Sequence, residues 1–299
     1  MSDFVSEFWN LYVVVIVLVS IIGCGVLLKS QSVHKGSSDT TGHVWDETLA
    51  EYNNPLPAWW SWMFYLTIVF ALAYLTLYPG LGKFQGVLGW SSAGQYNGEM
   101  KKANDTYGPI YDKYLKMDLK AVAADKEANE MGKRLFLTYC SQCHGSDARG
   151  AKGFPNLTDS DWQWGGDPET VKTTIMEGRN GVMPSHAQLG EESIKDLANF
   201  VRSLSGLPHD SVRAAKGKET FQSAGCVGCH GPEAHGTPAL GAPNLTDKTW
   251  LYGSSEATII ETITKGRNNR MPAWKDFLGE AKVHLLAAYV LSLSGTDKK

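Results

Sequence analysis

Apolar residues crowd together at the start of this chain and recur periodically toward its end. From Phe8 to Leu28 no charged residue occurs, and Glu7 and Lys29 bound the run. A second uncharged stretch extends from Asn53 to Gly82, with its apolar part from Ala58 to Tyr78. Trp59, Trp60 and Trp62 stand at one end of it, Tyr74 and Tyr78 at the other. A bilayer core takes about 20 apolar residues as a helix, which satisfies its own backbone hydrogen bonds. Rings at both ends fit the two membrane interfaces. The pattern predicts two transmembrane helices, about 8–28 and 58–78, in an anchor spanning 1–82. Met1–Glu7 lacks the basic start of a cleaved signal. Ile21-Ile22-Gly23-Cys24 has the look of a lipoprotein cleavage box, yet the apolar run continues past Cys24. Cys24 therefore reads as a small apolar residue within an uncleaved span.

Beyond the anchor the pattern turns helical. Glu127–Tyr139 and Val212–Ala224 predict helices, and Glu192–Leu204 and Glu280–Leu293 predict amphipathic ones with apolar 3–4 spacing. Residues 83–126 form a polar connector with a helix expected around Tyr111–Ala124. No run alternates as a strand would. The expected fold is mainly α, a transmembrane helix hairpin followed by two tandem domains at 127–206 and 207–299.

Those two domains rest on an internal repeat. Cys140-Ser-Gln-Cys143-His144-Gly145 recurs as Cys226-Val-Gly-Cys229-His230-Gly231, an offset of 86. Pro155-Asn-Leu-Thr-Asp159 recurs as Pro243-Asn-Leu-Thr-Asp247 at 88, as do Gly178-Arg179 and Met183-Pro184 at Gly266-Arg267 and Met271-Pro272. Leu197–Gly206 recurs as Leu286–Gly295 at 89. Small changes of offset read as loop insertions between retained elements. Modules of this size are marginal without help, and a large covalently held cofactor would supply it.

Composition excludes several classes. The 299 residues carry 28 Lys+Arg against 31 Asp+Glu, a net charge of −3, which offers no basic field for nucleic acid. Five Cys are too few for a disulfide scaffold.

Four of those five lie in the repeated Cys-x-x-Cys-His strings, the attachment signature of c-type haem. Two thiols add to the vinyl groups on one edge of the macrocycle, and the next residue, His, reaches the iron. Zinc would need further ligand pairs, and no other Cys lies outside the first span. A redox dithiol would sit in a βαβ setting absent here. Two haem c groups are expected, one in each of two tandem class I cytochrome c-like domains, on Cys140, Cys143, Cys226 and Cys229, with His144 and His230 as iron ligands. Met is the usual second ligand in electron-transfer cytochromes. Met183 and Met271 lie 39 and 41 residues after the two His, each followed by Pro. Met176 lacks a counterpart, since Thr264 holds its place. His34, His43, His186, His209, His235 and His284 likewise have none and read as loop or core residues.

The free N–H of each ligating His needs an acceptor. In small cytochromes c a carbonyl from the Pro after the haem motif serves, and Pro155 and Pro243 match that position. Arg179, Arg267, Trp162 and Trp250 are candidates to bond the haem propionates. Haem c is attached outside the bacterial cytoplasm. The expected topology is therefore two spans in the inner membrane, with both termini and the haem domains periplasmic. The loop from Lys29 to about Leu56, which includes Lys35, would be cytoplasmic.

The chain resembles the dihaem cytochrome c subunit of cbb3-type cytochrome c oxidases. The specific strings are Glu51-Tyr-Asn-Asn-Pro-Leu-Pro-Ala-Trp-Trp60, Tyr78-Pro-Gly-Leu-Gly82 and Leu88-Gly-Trp-Ser-Ser92. The resemblance implies an electron-transfer subunit that is not itself catalytic. It would take electrons from a donor cytochrome c and pass them, with a monohaem cytochrome c subunit, to the haem–copper catalytic subunit. There dioxygen is reduced to water and protons are pumped. It also implies crosswise ligation, with Met271 serving the first haem and Met183 the second. The alternative is an anchored dihaem electron donor to another periplasmic or membrane oxidoreductase. A peroxidase or gas sensor would need an open iron site, against which the two Met stand. Residues 127–206 carry 8 Lys+Arg and 11 Asp+Glu, and 207–299 carry 11 and 9, an asymmetry that would orient a docking partner.

Overall fold

The structure, a computed structural model, describes residues 6–32 and 40–294. The readings placed on His34, Lys35 and Gly295 fall outside the described residues. Packing divides the chain into two compact units, Met1–Thr106 and Tyr107–Lys299.

In the first unit, α1 (Glu7–Ser32) and α2 (Ala58–Leu77) are the two apolar helices, each long enough to cross a membrane. α1 buries only Leu28 and α2 buries nothing. They run antiparallel. Ser32 and Ser61 share a hydroxyl hydrogen bond of 3.1 Å at one end. At the other end the backbone N–H of Lys83 donates to Asn10 Oδ1 at 2.7 Å, and its ammonium pairs with Glu7.

Between them lies a hairpin that the hydropathy pattern did not show. β1 (Thr40–Trp45) pairs antiparallel with β2 (Leu49–Tyr52), with Val44 opposite Ala50 and Trp45 opposite Leu49. Its turn holds Asp46 and Glu47 at φ of 46° and 66°, without the glycine that usually marks such a turn.

α3 (Ser92–Leu115) spans the division between the units. The single helix expected over Tyr111–Ala124 is in fact the end of α3 followed by α4 (Leu119–Ala124). The break falls at Asp118, whose carboxylate accepts from the Lys120 N–H at 2.9 Å as an N-cap. A second cap, Asp125, then opens α5 (Lys126–Tyr139).

The rest of the second unit follows the repeat. α5 leads to α6 (Ser141–His144), α7 (Pro168–Glu177), β3 (Arg179–Met183) and α8 (Glu191–Leu204). The second pass runs α9 (Ser211–Ser223), α10 (Val227–His230), α11 (Glu256–Lys265), β4 (Arg267–Met271), α12 (Lys275–Leu278) and α13 (Glu280–Leu293). The four helices expected from periodicity are present to within a residue at each end.

Sequence modules and packing cores do not coincide. The first core gathers Tyr114 of α3, Leu119 and Val122 of α4, Phe136 of α5, Ile175 of α7, and Leu278 and Val283 to Val290 of α12 and α13. The second gathers Ile194 to Val201 of α8, Phe221 of α9, and Ile259 and Ile263 of α11. The helix closing the second repeat therefore packs on the helix opening the first, with Phe136 against Tyr289 at 5.5 Å. The helix closing the first repeat packs on the one opening the second. Arg213 of α9 fastens that pair through Asp196 and Glu192 of α8, both at 2.9 Å. Tandem domains each closed by their own last helix are thus not what the packing shows. α8 and α13 carry similar apolar stripes, so either could fit either core, and the chain path decides.

The exchange is completed by a ribbon. β3 and β4 pair antiparallel, Arg179 opposite Met271, Gly181 opposite Asn269 and Met183 opposite Arg267. This too corrects the expectation of helices and loops alone. The strands read Arg-Asn-Gly-Val-Met and Arg-Asn-Asn-Arg-Met, and the alternation that defines them appears in burial, half-buried then exposed, rather than in hydropathy.

Candidate functional site

Each Cys-x-x-Cys-His string forms one short helical turn at the end of a longer helix. Cys140 and Cys226 are partly buried against the two cores, whereas Cys143 and Cys229 are exposed. Burial, and next the neighbouring Cys143, push the Cys140 thiol up to about 11. Among the described residues, no group of three or more His, Cys, Asp or Glu side chains is gathered as a metal cage.

The two His residues are held alike. Nδ1 of His144 donates to the Pro155 carbonyl at 3.1 Å, and Nδ1 of His230 to the Pro243 carbonyl at 3.1 Å. A carbonyl only accepts, so the proton sits on Nδ1 and the lone pair of Nε2 is directed away, available to a metal. Burial holds both imidazoles below their ordinary pKa, against the raising effect of those carbonyls, which favours the neutral ligand form.

The loops that supply the carbonyls match bond for bond. Gly150 N–H donates to His144 O and Gly236 N–H to His230 O, at 2.7 and 2.8 Å. Leu157 donates to Ala148 O and Leu245 to Ala234 O, both at 2.8 Å. Asn156 Oδ1 accepts from the N–H and hydroxyl of Thr158, and Asn244 does the same for Thr246. The repeated Pro-Asn-Leu-Thr is therefore a turn that aims a proline carbonyl at a histidine.

The methionines fall crosswise. Met271 packs on the first core, which also holds Cys140, and Met183 packs on the second, with Cys226. The ribbon makes this possible by close approach at two glycines. A Cβ at Gly178 (φ +72°) would lie 2.4 Å from the Met271 carbonyl, and one at Gly266 (φ +71°) 2.4 Å from that of Met183. Beyond the ribbon, Trp274 N–H donates to Ile175 O and His186 N–H to Ile263 O, so each Met-Pro loop is fastened to the other repeat.

Arg179 and Arg267 lie at the ribbon's inner edge. Arg179 donates to Thr174 Oγ1 at 2.9 Å, with its guanidinium 5.0 Å over Trp164. Arg267 donates to Thr262 Oγ1 at 2.7 Å and lies 4.1 Å over Tyr252. Thr174, Thr262, Trp164 and Tyr252 were missed in the sequence, although both pairs recur at the offset of 88. Trp162 packs on the first core and Trp250 on the second. With Pro155 and Pro243 they line a cleft of about 470 Å³ between the two loops.

The remaining candidates stay apart. Met176 packs in the first core, His43 stacks on Trp45, and His284 is buried with Nε2 donating to Met117 O at 3.1 Å. His209 bonds the Leu207 carbonyl and His235 the Thr246 hydroxyl.

The repeated Cys pair and oriented imidazole are the donor chemistry of a c-type cytochrome. The family described as cytochrome c oxidase, cbb3-type, subunit III matches residues 127–201 and 212–290. The N-terminal domain of cytochrome oxidase-cbb3, FixP, matches residues 37–85. The chain is 49% identical to the cbb3-type cytochrome c oxidase subunit CcoP of Rubrivivax gelatinosus, covering 99% of this chain and 98% of that protein. It is 42% identical to the corresponding FixP subunit of a Bradyrhizobium species, covering 86% and 94%. It is 38% identical to CcoP of Cereibacter sphaeroides, covering 90% and 99%. The chain belongs to the family of cbb3-type cytochrome c oxidase subunits III, and electron transport by c-type haem is the family's work.

Proposed function

We propose that this chain is the dihaem subunit that feeds electrons to the haem–copper catalytic subunit of a cbb3-type oxidase. The observation that carries this is the doubled site, two His-Cys-Cys sets each faced by a Met from the other repeat. The residues present fit haem c. Cys140 and Cys143, and Cys226 and Cys229, would hold one group each through thioethers, and His144 and His230 would ligate through Nε2. Met271 would serve the iron of the first set and Met183 that of the second. When bound, the haems supply reversible one-electron chemistry.

The chain's own residues prepare that chemistry. The proline carbonyls fix the tautomer and ring plane of each His, so no proton moves at Nδ1 as charge changes. Thr174 and Thr262 orient guanidinium groups whose remaining N–H donors suit propionates. The ribbon ties both Met loops to one rigid element, so the two sites keep a fixed mutual geometry.

α1 and α2 would span the inner membrane with the haem-bearing unit in the periplasm and the β1–β2 hairpin in the cytoplasm. A donor cytochrome c would bring electrons. A monohaem cytochrome c subunit and the catalytic subunit would receive them. The complex holding this chain should be purified in mild detergent and its haem measured as pyridine haemochromes. Two c haems per copy of this chain, with haem b, copper and dioxygen reduction, support the assignment. Only c haem, with no oxidase activity after gentle extraction, refutes it.

A further inference from the structure

The two loops that aim proline carbonyls at the histidines differ in length. Pro155 follows His144 by 11 residues, and Pro243 follows His230 by 13. Each loop closes on itself through a pair of backbone hydrogen bonds just before its proline. In the first repeat Ala151 and Phe154 exchange them, at 2.7 and 3.1 Å. In the second Thr237 and Ala242 do so, at 3.1 and 3.2 Å, around a short turn, Pro238–Leu240. The two added residues lie in that turn, which accounts for the offset rising from 86 to 88. None of its side chains is buried, and Leu240 is 53% exposed. The turn has no apolar anchor of its own.

Its support comes from the first repeat. The side-chain amide of Gln163 donates to the Gly241 carbonyl. The next residue, Trp164, lies so close that a Cβ on Gly241 (φ +65°) would stand 2.2 Å from its ring. Gly241 is two residues before Pro243, whose carbonyl accepts from Nδ1 of His230. In the reverse direction the first loop is tied by backbone alone, with Gly153 N–H donating to the Leu251 carbonyl at 2.8 Å. Leu251 holds the place in the second repeat that Gln163 holds in the first. The longer loop is thus propped by a polar side chain of the other repeat, and the shorter loop is not.

An acceptor on Nδ1 makes a ligating imidazole more basic, and a more basic ligand favours oxidised iron. A carbonyl that drifts from Nδ1 weakens that effect, so a residue that fixes the carbonyl tunes the iron without touching it. We propose that Gln163 is a positioning residue for the second haem. It holds Gly241, and through it the Pro243 carbonyl against His230, and so lowers the second haem's potential from within the first repeat. The first haem is tuned without such a side chain, which sets the two sites apart although their histidines are held alike. This rests on the dihaem reading above.

The test is redox titration of the full chain in its complex, wild type beside Gln163→Leu, which removes the donor without adding charge. The second haem's midpoint potential should rise by about tenfold in the reduction equilibrium, about 59 mV for one electron. The first haem, in the same chain, should not move. Chains with Cys140 and Cys143 replaced by Ala, or Cys226 and Cys229, assign each potential to its haem. A second readout is the Nδ1 proton of His230, followed by NMR in the reduced protein with isotope-labelled histidine. It should exchange with solvent faster in Gln163→Leu, while that of His144 keeps its rate. Gln163→Asn, with a shorter amide, should fall between, and it carries both readouts if Gln163→Leu fails to retain the second haem. An unmoved second haem, an equal shift in both haems or a shift confined to the first overturns the inference. So does a shifted potential with unchanged exchange at His230, which would assign Gln163 to the field of the cleft. If the wild-type chain holds fewer than two c haems by pyridine haemochrome, the dihaem reading itself fails; two haems with unmoved potentials refute this inference alone.

Discussion

Arg179 stands opposite Met271 across the β3–β4 ribbon, so the arginine that follows the first repeat's helix α7 neighbours the methionine of the second repeat. The same register sets Arg267 opposite Met183. One short antiparallel pairing therefore delivers each thioether to the core built around the other repeat's histidine. Each core thus draws its methionine from the other repeat while keeping its own set of packed side chains.

Crosswise ligation can be read one haem at a time. In a chain whose Cys226 and Cys229 are replaced by Ala, only the first haem should attach. Met271→Leu should then abolish Met-ligated low-spin character, lower the midpoint potential and admit carbon monoxide, because the soft thioether favours reduced iron. Met183→Leu should be silent in that background. The reverse result would mean that each Met serves its own repeat.

The glycines flanking the ribbon should not tolerate a side chain. Gly178→Ala places a Cβ 2.4 Å from the Met271 carbonyl at a φ of +72°. A loss of about 1–3 kcal/mol in denaturant unfolding is expected from backbone strain alone. The electron-paramagnetic signal of the first haem should broaden as its Met loop is displaced. Gly89→Ala serves as the comparison, since its φ is +58° but nothing lies within 4 Å of the added carbon.

Much of this was written in local pattern. The two apolar helices and the helices opening and closing each repeat follow from spacing and composition, whereas the prolines bonded to His144 and His230 were pointed to by the likeness to small cytochromes c. The exchange of α8 and α13 was not legible, because both stripes are apolar at the same spacing and only long-range packing selects the partner. The ribbon was hidden because neither Arg179–Met183 nor Arg267–Met271 alternates apolar with polar residues, and each strand's backbone partner is the other strand. Asp118 split the expected connector helix by a capping bond that outweighs the apolar periodicity on either side. The charge difference between residues 127–206 and 207–299 loses its meaning as a domain property, since α8 and α13 sit in each other's cores.

Core 1 should fail if the exchanged contact fails. Phe136 is fully buried on α5 and packs on Tyr289 of α13. Phe136→Ala should cost about 3–5 kcal/mol. It should lower occupancy of the first haem while the second, whose core is separate, is retained. Equal loss of both c haems on a per-chain pyridine haemochrome would contradict two independent cores.

A pH dependence follows from His284. It lies buried on α13, with burial and then Lys172 holding its pKa below the ordinary imidazole value, while the Met117 carbonyl, Glu169 and Glu280 oppose them. An imidazole whose folded pKa is depressed stays neutral in the folded chain while the unfolded chain takes up a proton below about 6.5. Stability from this residue is therefore full above that pH and declines as pH falls toward the lower folded value. His284→Gln can keep a donor to the Met117 carbonyl without a titrating group. The variant should show a smaller loss of denaturant midpoint between pH 7.5 and 5.5 than the wild-type chain, measured with both haems attached so that His144 and His230 are ligated and do not titrate. An identical loss in variant and wild type would remove His284 as the source, and a steeper one would mean that the Nε2 bond to Met117 matters more than the proton.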